Sequence, residues 1–258
     1  MTPVDPPNHV IPRPYWMRRR CFVSLLLFSI TGLIASVALH ETTGLDRWVQ
    51  DSLYDFQAGR WVVDKNAPVP RLIFYNLPKF SVVGVGALLV VSLILDRVRG
   101  RADTYESRRR FYLVLCLILI PVTVALWKRY SGVFCPAELT WYGGRHDFRL
   151  LFQSRPAGVE VGHCFPGGHA SAGFSLVAFA LLPRRTRHRW MVLLAALVIG
   201  WVMGFYQMAK GAHFLTHTLT TMFTATTMSL LLGVWLLPDG IPLTGRPEST
   251  PEEPTGAA

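Results

Sequence analysis

The segment HCFPGGHASAGF, residues 163–174, places two histidines, a cysteine and a glycine pair directly before an apolar run. Imidazole can act as a nucleophile or transfer protons near neutral pH, and backbone amides at a helix start can bind an anion. Glycines leave those amides accessible because they carry no β-carbon. The pattern therefore predicts an anion site formed by Gly167 and Gly168 beside His169. In an alternative interpretation the glycines only permit tight helix packing, which does not account for His169.

The composition indicates that this segment folds in a membrane. Of the 258 residues, 51% are hydrophobic and only 16% are charged, and the mean hydropathy is +0.32. A shorter apolar run, 166–183, would reach roughly 27 Å as an 18-residue helix, against a hydrocarbon core about 30 Å thick. The other runs are long enough, or nearly so, and lie at about 21–39, 73–95, 111–127, 190–208 and 214–237. The sequence therefore predicts an all-α integral membrane protein, a six-helix bundle.

The placement of charge predicts the orientation of this bundle. A formal net charge of +10 is compatible with nucleic-acid binding, but the basic residues are concentrated in short loops between the apolar runs, which favours a bilayer and no nucleic acid. By the positive-inside rule these loops and both termini are cytoplasmic. The loops at 40–72, 128–165 and 209–213 then face outward. The basic clusters lie at 18–20, 97–101, 108–110 and 184–189.

The two ends of the chain are predicted to be disordered. Segments 1–20 and 238–258 are rich in proline and small polar residues and have little to bury. The membrane domain is then 21–237. Residues 21–39 are longer than the apolar part of a usual signal peptide, which favours an uncleaved first span over a cleaved signal. In the loop 40–72, aromatic residues mixed with charges predict an amphipathic helix at the interface: Trp48, Tyr54, Phe56 and Trp61.

The predicted topology brings three ionisable residues to one face of the membrane. Lys128 ends the third span, His169 begins the fourth and His213 begins the sixth. Ionisable groups at membrane depth usually mark a functional site, so we expect these residues to surround one cavity. Two alternatives remain open: Lys128 and the adjacent Arg129 as interfacial anchors, and His213 as a satisfied interfacial histidine.

These clusters resemble the type 2 phosphatidic acid phosphatase superfamily of membrane lipid phosphatases, whose motifs read K-x(6)-R-P, P-S-G-H and S-R-x(5)-H-x(3)-D. The first resembles KRYSGVFCP at 128–136, the second PGGH at 166–169 and the third YQMAKGAHFLTH at 206–217. The order, the spacing and the placement on the third to sixth spans agree. The resemblance covers a phosphatase-like core at about 70–237.

Several motif letters differ in this chain. The changes remove two guanidinium groups and the closing carboxylate, and they fall at Cys135 for Arg, Gly167 for Ser, Tyr206 and Gln207 for Ser-Arg, and His217 for Asp. We therefore expect Lys210, three residues before His213 and one turn away if the helix extends that far, to supply part of the lost charge together with one loop arginine. The candidate arginines are Arg129, Arg145, Arg149 and Arg155.

The resemblance implies a metal-independent phosphoric monoester hydrolase without a cofactor. His213 would form a phosphohistidine, His169 would act as acid and base, and His217 would accept a hydrogen bond from the His213 ring. The phosphate would be bound by Lys128, Gly167, Gly168, Lys210 and Arg129.

The implied substrate is a membrane lipid phosphate or diphosphate monoester. It would be hydrolysed at the periplasmic face of a bacterial inner membrane. Lipid A, undecaprenyl diphosphate and phosphatidylglycerol phosphate are the candidates, between which the sequence does not choose. A lipid-to-lipid phosphotransferase and a non-catalytic protein that binds lipid headgroups are the alternatives, and the oligomeric state is not indicated.

A metal site is a competing interpretation of the third motif. His213 and His217 are four residues apart, as in H-E-x-x-H sites, and His146, Asp147 or His163 would be further ligands. The carboxylate of that motif is absent, so we predict no metal.

The four cysteines divide into two pairs. Cys21 and Cys116 lie in apolar spans and are predicted to be buried thiols. Cys135 and Cys164 lie in the outer loop, where an oxidising compartment would allow a disulfide between the third and fourth spans. Two free thiols are the alternative.

Overall fold

The structure is a computed structural model that describes residues 19–154, 158, 160–182 and 186–237, with side chains from residue 21 onward. Residues 1–18, the tail 238–258 and Arg155 lie outside the described residues. Residues 19 and 20, predicted to be disordered, already belong to the first helix.

The chain forms an all-α bundle with one small hairpin. In chain order the elements are α1 (Arg19–Thr42), α2 (Leu45–Asp51), β1 (Tyr54–Asp55), β2 (Arg60–Trp61), α3 (Pro68–Arg71), a π-helical stretch (Leu72–Asn76), α4 (Leu77–Val98), α5 (Tyr105–Ser131), 3-10 turns (Pro136–Glu138 and Thr140–Tyr142), α6 (Gly168–Ser175), a 3-10 extension (Leu176–Leu181), α7 (Thr186–Ala209) and α8 (Leu215–Leu236). Tyr54 and Trp61 pair in the antiparallel hairpin β1–β2.

Among the described residues, five helices are long and apolar enough to cross a membrane, and they lie at Cys21–Thr42, Pro68–Val98, Tyr105–Ser131, Thr186–Ala209 and Leu215–Leu236. This confirms the predicted membrane bundle. The second span begins at Pro68 rather than near residue 73, because α3 and the π-helical stretch continue directly into α4.

The fourth predicted span is shorter than expected. It begins at Gly168 instead of Pro166, and eight α-helical residues are followed by six in a 3-10 helix. At about 1.5 and 2.0 Å per residue these reach roughly 24 Å, less than the hydrocarbon thickness. The segment lies between α5, α7 and α8, where Ala170, Phe174 and Ala178 are almost fully buried. Because its neighbours surround it, this segment need not match the bilayer by itself.

Small residues allow α6 to pack closely against α7. A β-carbon on Gly173 would lie 2.8 Å from the α-carbon of Gly200, and one on Gly200 would lie 2.2 Å from the Phe174 ring. Contacts this short between backbones are possible only where both helices carry glycine. They hold the start of α6, and with it His169, beside α7.

The outer segment 43–67 folds over one end of the bundle and only partly matches its prediction. The helix covers Leu45–Asp51, while Tyr54 and Trp61 form the hairpin and pack against Tyr142 with ring centroids 5.2 and 5.0 Å away. Trp48 and Phe56 are exposed. The hairpin thus forms a cap on the loop between α5 and α6.

Ion pairs form at the opposite end of the bundle. The N-cap residue Thr104 accepts a hydrogen bond from the Ser107 amide at the start of α5. The buried carboxylate of Asp96 pairs with Arg110 and, at 3.8 Å, with Arg101. We call this the arginine end.

Candidate active site

Polar groups from six helix ends meet at one end of the bundle, which we call the histidine end. His40 closes α1 and lies against His217 at the start of α8, with ring centroids 5.3 Å apart. Tyr75, which precedes α4, lies 4.9 Å from the ring of His169. The Lys128 side chain at the end of α5 lies beside Gly168, 3.8 Å from the position that a β-carbon would occupy there. The predicted convergence is therefore present.

His169 and His213 face one another. Their ring centroids are 6.0 Å apart with the planes inclined at 51°. His169 is half-buried, and His213 is only 2% exposed. Two imidazoles at this separation, on the same side of the bundle, can flank a single phosphorus atom.

The turn between α7 and α8 orients His213. Gly211 has a positive φ of 73°, and a β-carbon there would lie 2.3 Å from the Trp61 ring, so this position requires glycine. The Nδ1 of His213 lies 3.4 Å from the sulfur of Cys164, while its Nε2 has no hydrogen-bond partner among the described residues. Burial, followed by the charge of Lys128, holds the pKa of His213 well below its usual range. The ring is therefore a neutral imidazole whose Nε2 is not engaged by another described residue.

Lysines give the site its positive charge. Lys128, Lys210 and Lys79 are close enough to His169 to act on it electrostatically. Lys210 lies 5.0 Å from the centre of the Tyr206 ring, and both Lys210 and Lys79 lie within 5.7 Å of the Tyr75 ring. In the described part of the chain no carboxylate is within ion-pair distance of these lysines, which favours an anionic ligand.

Lys210 is not on the helix, as its position relative to His213 had suggested. Helix α7 ends at Ala209, and Lys210 begins the turn. Burial and the nearby Arg71 lower the pKa of Lys210.

The amide of Gly167 is not free, as the sequence had predicted it to be. The amide of Gly167 donates to the carbonyl of His217 at 3.0 Å, so it is not free for an anion in this arrangement. A β-carbon on Gly167 would approach the same carbonyl to 3.3 Å, and the Thr221 hydroxyl donates to the Gly167 carbonyl at 3.1 Å. Close packing, the alternative interpretation, therefore describes Gly167. Gly168 remains beside Lys128.

The loop arginines are distributed over the surface. Arg129 and Arg145 are exposed, and Arg145 pairs with Glu160 at 3.3 Å. Arg149 is half-buried.

The predicted disulfide between Cys135 and Cys164 is present and joins the end of α5 to the start of α6. The Cys164 amide donates to the Val133 carbonyl at 2.8 Å, and the Cys135 amide donates to the Glu138 carboxylate at 2.7 Å. Cys21 and Cys116 are free thiols in apolar spans, half-buried and buried respectively. The disulfide sulfur of Cys164 therefore lies against His213.

His217 is fully buried but does not bond to His213 as expected. The two ring centroids are 5.8 Å apart, and neither ring nitrogen of His217 has a hydrogen-bond partner among the described residues. Its closest imidazole is that of His40, whose Nδ1 lies 2.9 Å from Asp46. Sequence reasoning missed His40 and Asp46, because nothing local connects them to a motif more than 160 residues away.

Tyr75 and Lys79 were also missed, because both fall inside or beside an apolar run. Lys79 could have indicated this part of the site from the sequence, since a charged residue within a membrane span usually has a function.

The alternative metal set is not assembled. In the part of the chain that the structure describes, His146, Asp147 and His163 join no cluster with His213 and His217. His146 instead stacks on Phe134 at 4.0 Å. A different set, His40, Asp46 and His217, places possible ligand atoms within 4.8 Å of one another.

Comparison with known proteins identifies the family of this chain. The sequence model of the PAP2 superfamily matches residues 109–239, about half of the chain. One similar solved structure is described as the crystal structure of the first transmembrane PAP2 type phosphatidylglycerolphosphate phosphatase from Bacillus subtilis. It is 19% identical, with 83% of this chain and 94% of that chain covered and a TM-score of 0.44. No curated protein matches significantly. The chain belongs to the PAP2 superfamily.

Proposed function

We propose that this protein is a membrane lipid phosphatase that hydrolyses a lipid phosphate or diphosphate monoester through a phosphohistidine. Family membership supports a lipid phosphatase in general terms. The observation that carries the specific proposal is the pair His169 and His213, 6.0 Å apart among lysines without carboxylate partners in the described chain.

In the first step, the Nε2 lone pair of His213 attacks phosphorus. An N–P bond forms, the P–O bond to the lipid breaks, and His169 gives a proton to the departing oxygen. A bound phosphate offsets the positive charge of the lysines around His169, which favours the protonated acid form.

In the second step, water attacks the phosphorus of the phosphohistidine. His169 accepts a proton from this water, the N–P bond breaks, and inorganic phosphate leaves with His213 again neutral. The two proposed steps use only groups of this chain and water, and we propose that the reaction needs no metal.

Lys128 and Lys210 would bind the non-reacting phosphate oxygens. Donors positioned before the reaction lower the barrier because no reorganisation is needed when charge develops. The Gly168 amide at the start of α6 is a further donor. Arg129 is exposed and would contribute weakly.

A lipid substrate is supported by an apolar groove beside the site. The groove has a volume of about 450 Å³ and lies between α4, α6 and α7. Two of its lining residues, Ile73 and Leu77, lie two positions before and after Tyr75 in the sequence. Tyr75 contacts the ring of His169. A headgroup at the histidines would leave an acyl chain in this groove, which is lined by Ile73, Leu77, Val85, Leu176, Val198 and Val202.

A periplasmic site in a bacterial inner membrane is supported by two features. The basic loop between α4 and α5 lies at the arginine end of the bundle, which the positive-inside rule assigns to the cytoplasm. A disulfide at the histidine end requires an oxidising compartment.

Phosphate release by the purified protein tests the proposal. Lipid A, undecaprenyl diphosphate and phosphatidylglycerol phosphate would be compared as substrates, with wild type, His213→Ala and the exposed-residue control His188→Ala. We expect turnover of at least one lipid, loss of that turnover in His213→Ala only, and acid-labile phosphate on the wild-type chain.

Two other outcomes would identify the alternative functions. Label that reaches a second lipid instead of water would indicate a phosphotransferase. Lipid binding without turnover of any substrate would indicate a non-catalytic headgroup-binding protein.

A further inference from the structure

A second buried cluster lies directly behind the proposed nucleophile. Asp46, His40 and His217 are 4%, 1% and 0% exposed. They come from the outer helix α2, the end of α1 and the start of α8. The imidazoles of His40, His217 and His213 follow one another with ring centroids 5.3 and 5.8 Å apart.

Asp46 fixes the His40 ring. The carboxylate accepts the Thr216 amide at 2.9 Å, the Thr216 hydroxyl, and His40 Nδ1–H at 2.9 Å. Burial alone would raise the pKa of Asp46, but the hydrogen bond from His40, the nearby His217 and the bonds from Thr216 lower it, so the group is ionised at neutral pH. With Nδ1 as the donor, Nε2 of His40 is left as an acceptor, and it has no partner among the described residues.

His217 has two uncommitted nitrogens between His40 and His213. Phe165 and Phe214 pack on its ring at 5.1 and 5.3 Å and exclude other polar groups from those sides. The side-chain torsion that rotates an imidazole ring is soft. The relay requires a rotation of this ring in which one nitrogen of His217 donates to His40 and the other accepts from His213.

We propose that Asp46, acting through His40 and His217, takes the place of the carboxylate that the third motif lacks and positions His213 for attack. The inference rests on the proposed function. As His213 attacks phosphorus its ring gains positive charge, which a buried carboxylate two imidazoles away stabilises. The disulfide sulfur beside His213 Nδ1 is a weak acceptor, so His217 is the better partner for that N–H once substrate binds. Asp46 and His40 are positioning residues.

The same three side chains form a candidate cation site, but their hydrogen bonds favour the relay. A metal ion would have to displace the bond between Asp46 and His40 and compete with those from Thr216. The metal content of the purified protein is therefore part of the test.

The test is a mutant cycle on the full-length protein with the lipid that wild type hydrolyses best. Asp46→Asn keeps the shape of the side chain, and we expect kcat to fall at least ~10-fold with KM nearly unchanged. Asp51→Asn is the matched control, because Asp51 lies on the same helix and accepts a hydrogen bond only from Tyr142 among the contacts described here. It should retain wild-type kcat.

The second arm repeats Asp46→Asn in a His217→Asp background, which restores the motif carboxylate. We expect Asp46→Asn to change kcat less than about twofold there, because the relay is bypassed. An equal loss in both backgrounds, an unchanged kcat of Asp46→Asn in wild type, or a stoichiometric metal that Asp46→Asn removes would each overturn the proposal.

A second variant and a fallback comparison cover the cases in which a variant is unfolded or inactive. If Asp46→Asn does not fold, His40→Phe interrupts the same relay and leaves the bonds between Asp46 and Thr216 intact. If His217→Asp is itself inactive, the kcat of Asp46→Asn in wild type decides. Failure of the proposed function is distinguished by the wild type, which would then release no phosphate.

Discussion

The two ends of the bundle are both rich in positive charge, but they differ in whether carboxylates pair with that charge. At the arginine end, Asp96 pairs with Arg110 and Arg101, and Glu106 pairs with Arg109 at 2.7 Å. At the histidine end, the lysines lie around two imidazoles, and within the described residues no carboxylate lies within ion-pair distance of them. Paired charges satisfy one another, whereas unpaired, half-buried charges are retained at a cost and indicate a site for a ligand.

The largest contrast should come from neutralising one charge at each end. Lys128→Met should lower kcat/KM by about 10²–10³ without loss of thermal stability, because it removes a phosphate donor that has no ion-pair partner among the described residues. Asp96→Asn should lower the free energy of unfolding by about 1–3 kcal/mol and leave kcat unchanged. Kinetics and thermal unfolding in detergent check both. The comparison fails if Asp96→Asn lowers kcat as much as Lys128→Met.

Removing the disulfide should affect both stability and activity at the histidine end. The Cys135→Ser/Cys164→Ser variant opens a loop of 29 residues and should lose about 3–4 kcal/mol of unfolding free energy. Its kcat should fall as well, because Cys164 contacts His213. Denaturant unfolding and phosphate release measure these effects, with Cys21→Ser as the control. Alkylation of all four cysteines in untreated wild type would contradict the premise.

Among the remaining basic residues, burial should decide how much an alanine substitution lowers kcat/KM. Lys210→Ala should lower kcat/KM about tenfold, an amount that corresponds to about 1.4 kcal/mol. The exposed Arg129→Ala should change it less than about threefold, because solvent screens its charge. Unaltered phosphate release by Lys210→Ala would remove that lysine from the site.

The smallest effect is a pH dependence of stability. Because the folded pKa of His213 is lowered, the unfolded chain binds more protons below about pH 6.5, and stability should fall as the pH falls. The slope for one histidine is at most about 1.4 kcal/mol per pH unit. Thermal unfolding between pH 7 and 5 measures it, a range above the one in which Asp46 titrates. His213→Asn should reduce the slope, and the exposed His188→Asn is the control.

The motifs could be placed from the sequence because they lie at helix ends. Lys128, His169 and His213 each border an apolar run, and alternating spans bring such borders to one face whatever the detailed packing. Gly167 could not be assigned in this way. Whether its amide is free depends on the carbonyl of His217 on another helix.

The short fourth helix shows the same limit. Its apolar composition predicted a short span of 18 residues that just crosses the membrane, but a segment surrounded by helices is buried by protein rather than lipid. Hydropathy does not distinguish these two environments.

The sequence by itself therefore determined the membrane bundle, the disulfide partners and the three motif residues that converge, while the orientation that its charges suggest stays a prediction. The tertiary structure alone decided that Asp46 and His40 lie next to His217, and that Tyr75 contacts His169 with Lys79 near the Tyr75 ring. Such contacts join residues between about 90 and 170 positions apart. No local sequence pattern predicts these contacts, because they form only when the packing of separate helices brings the helix ends together.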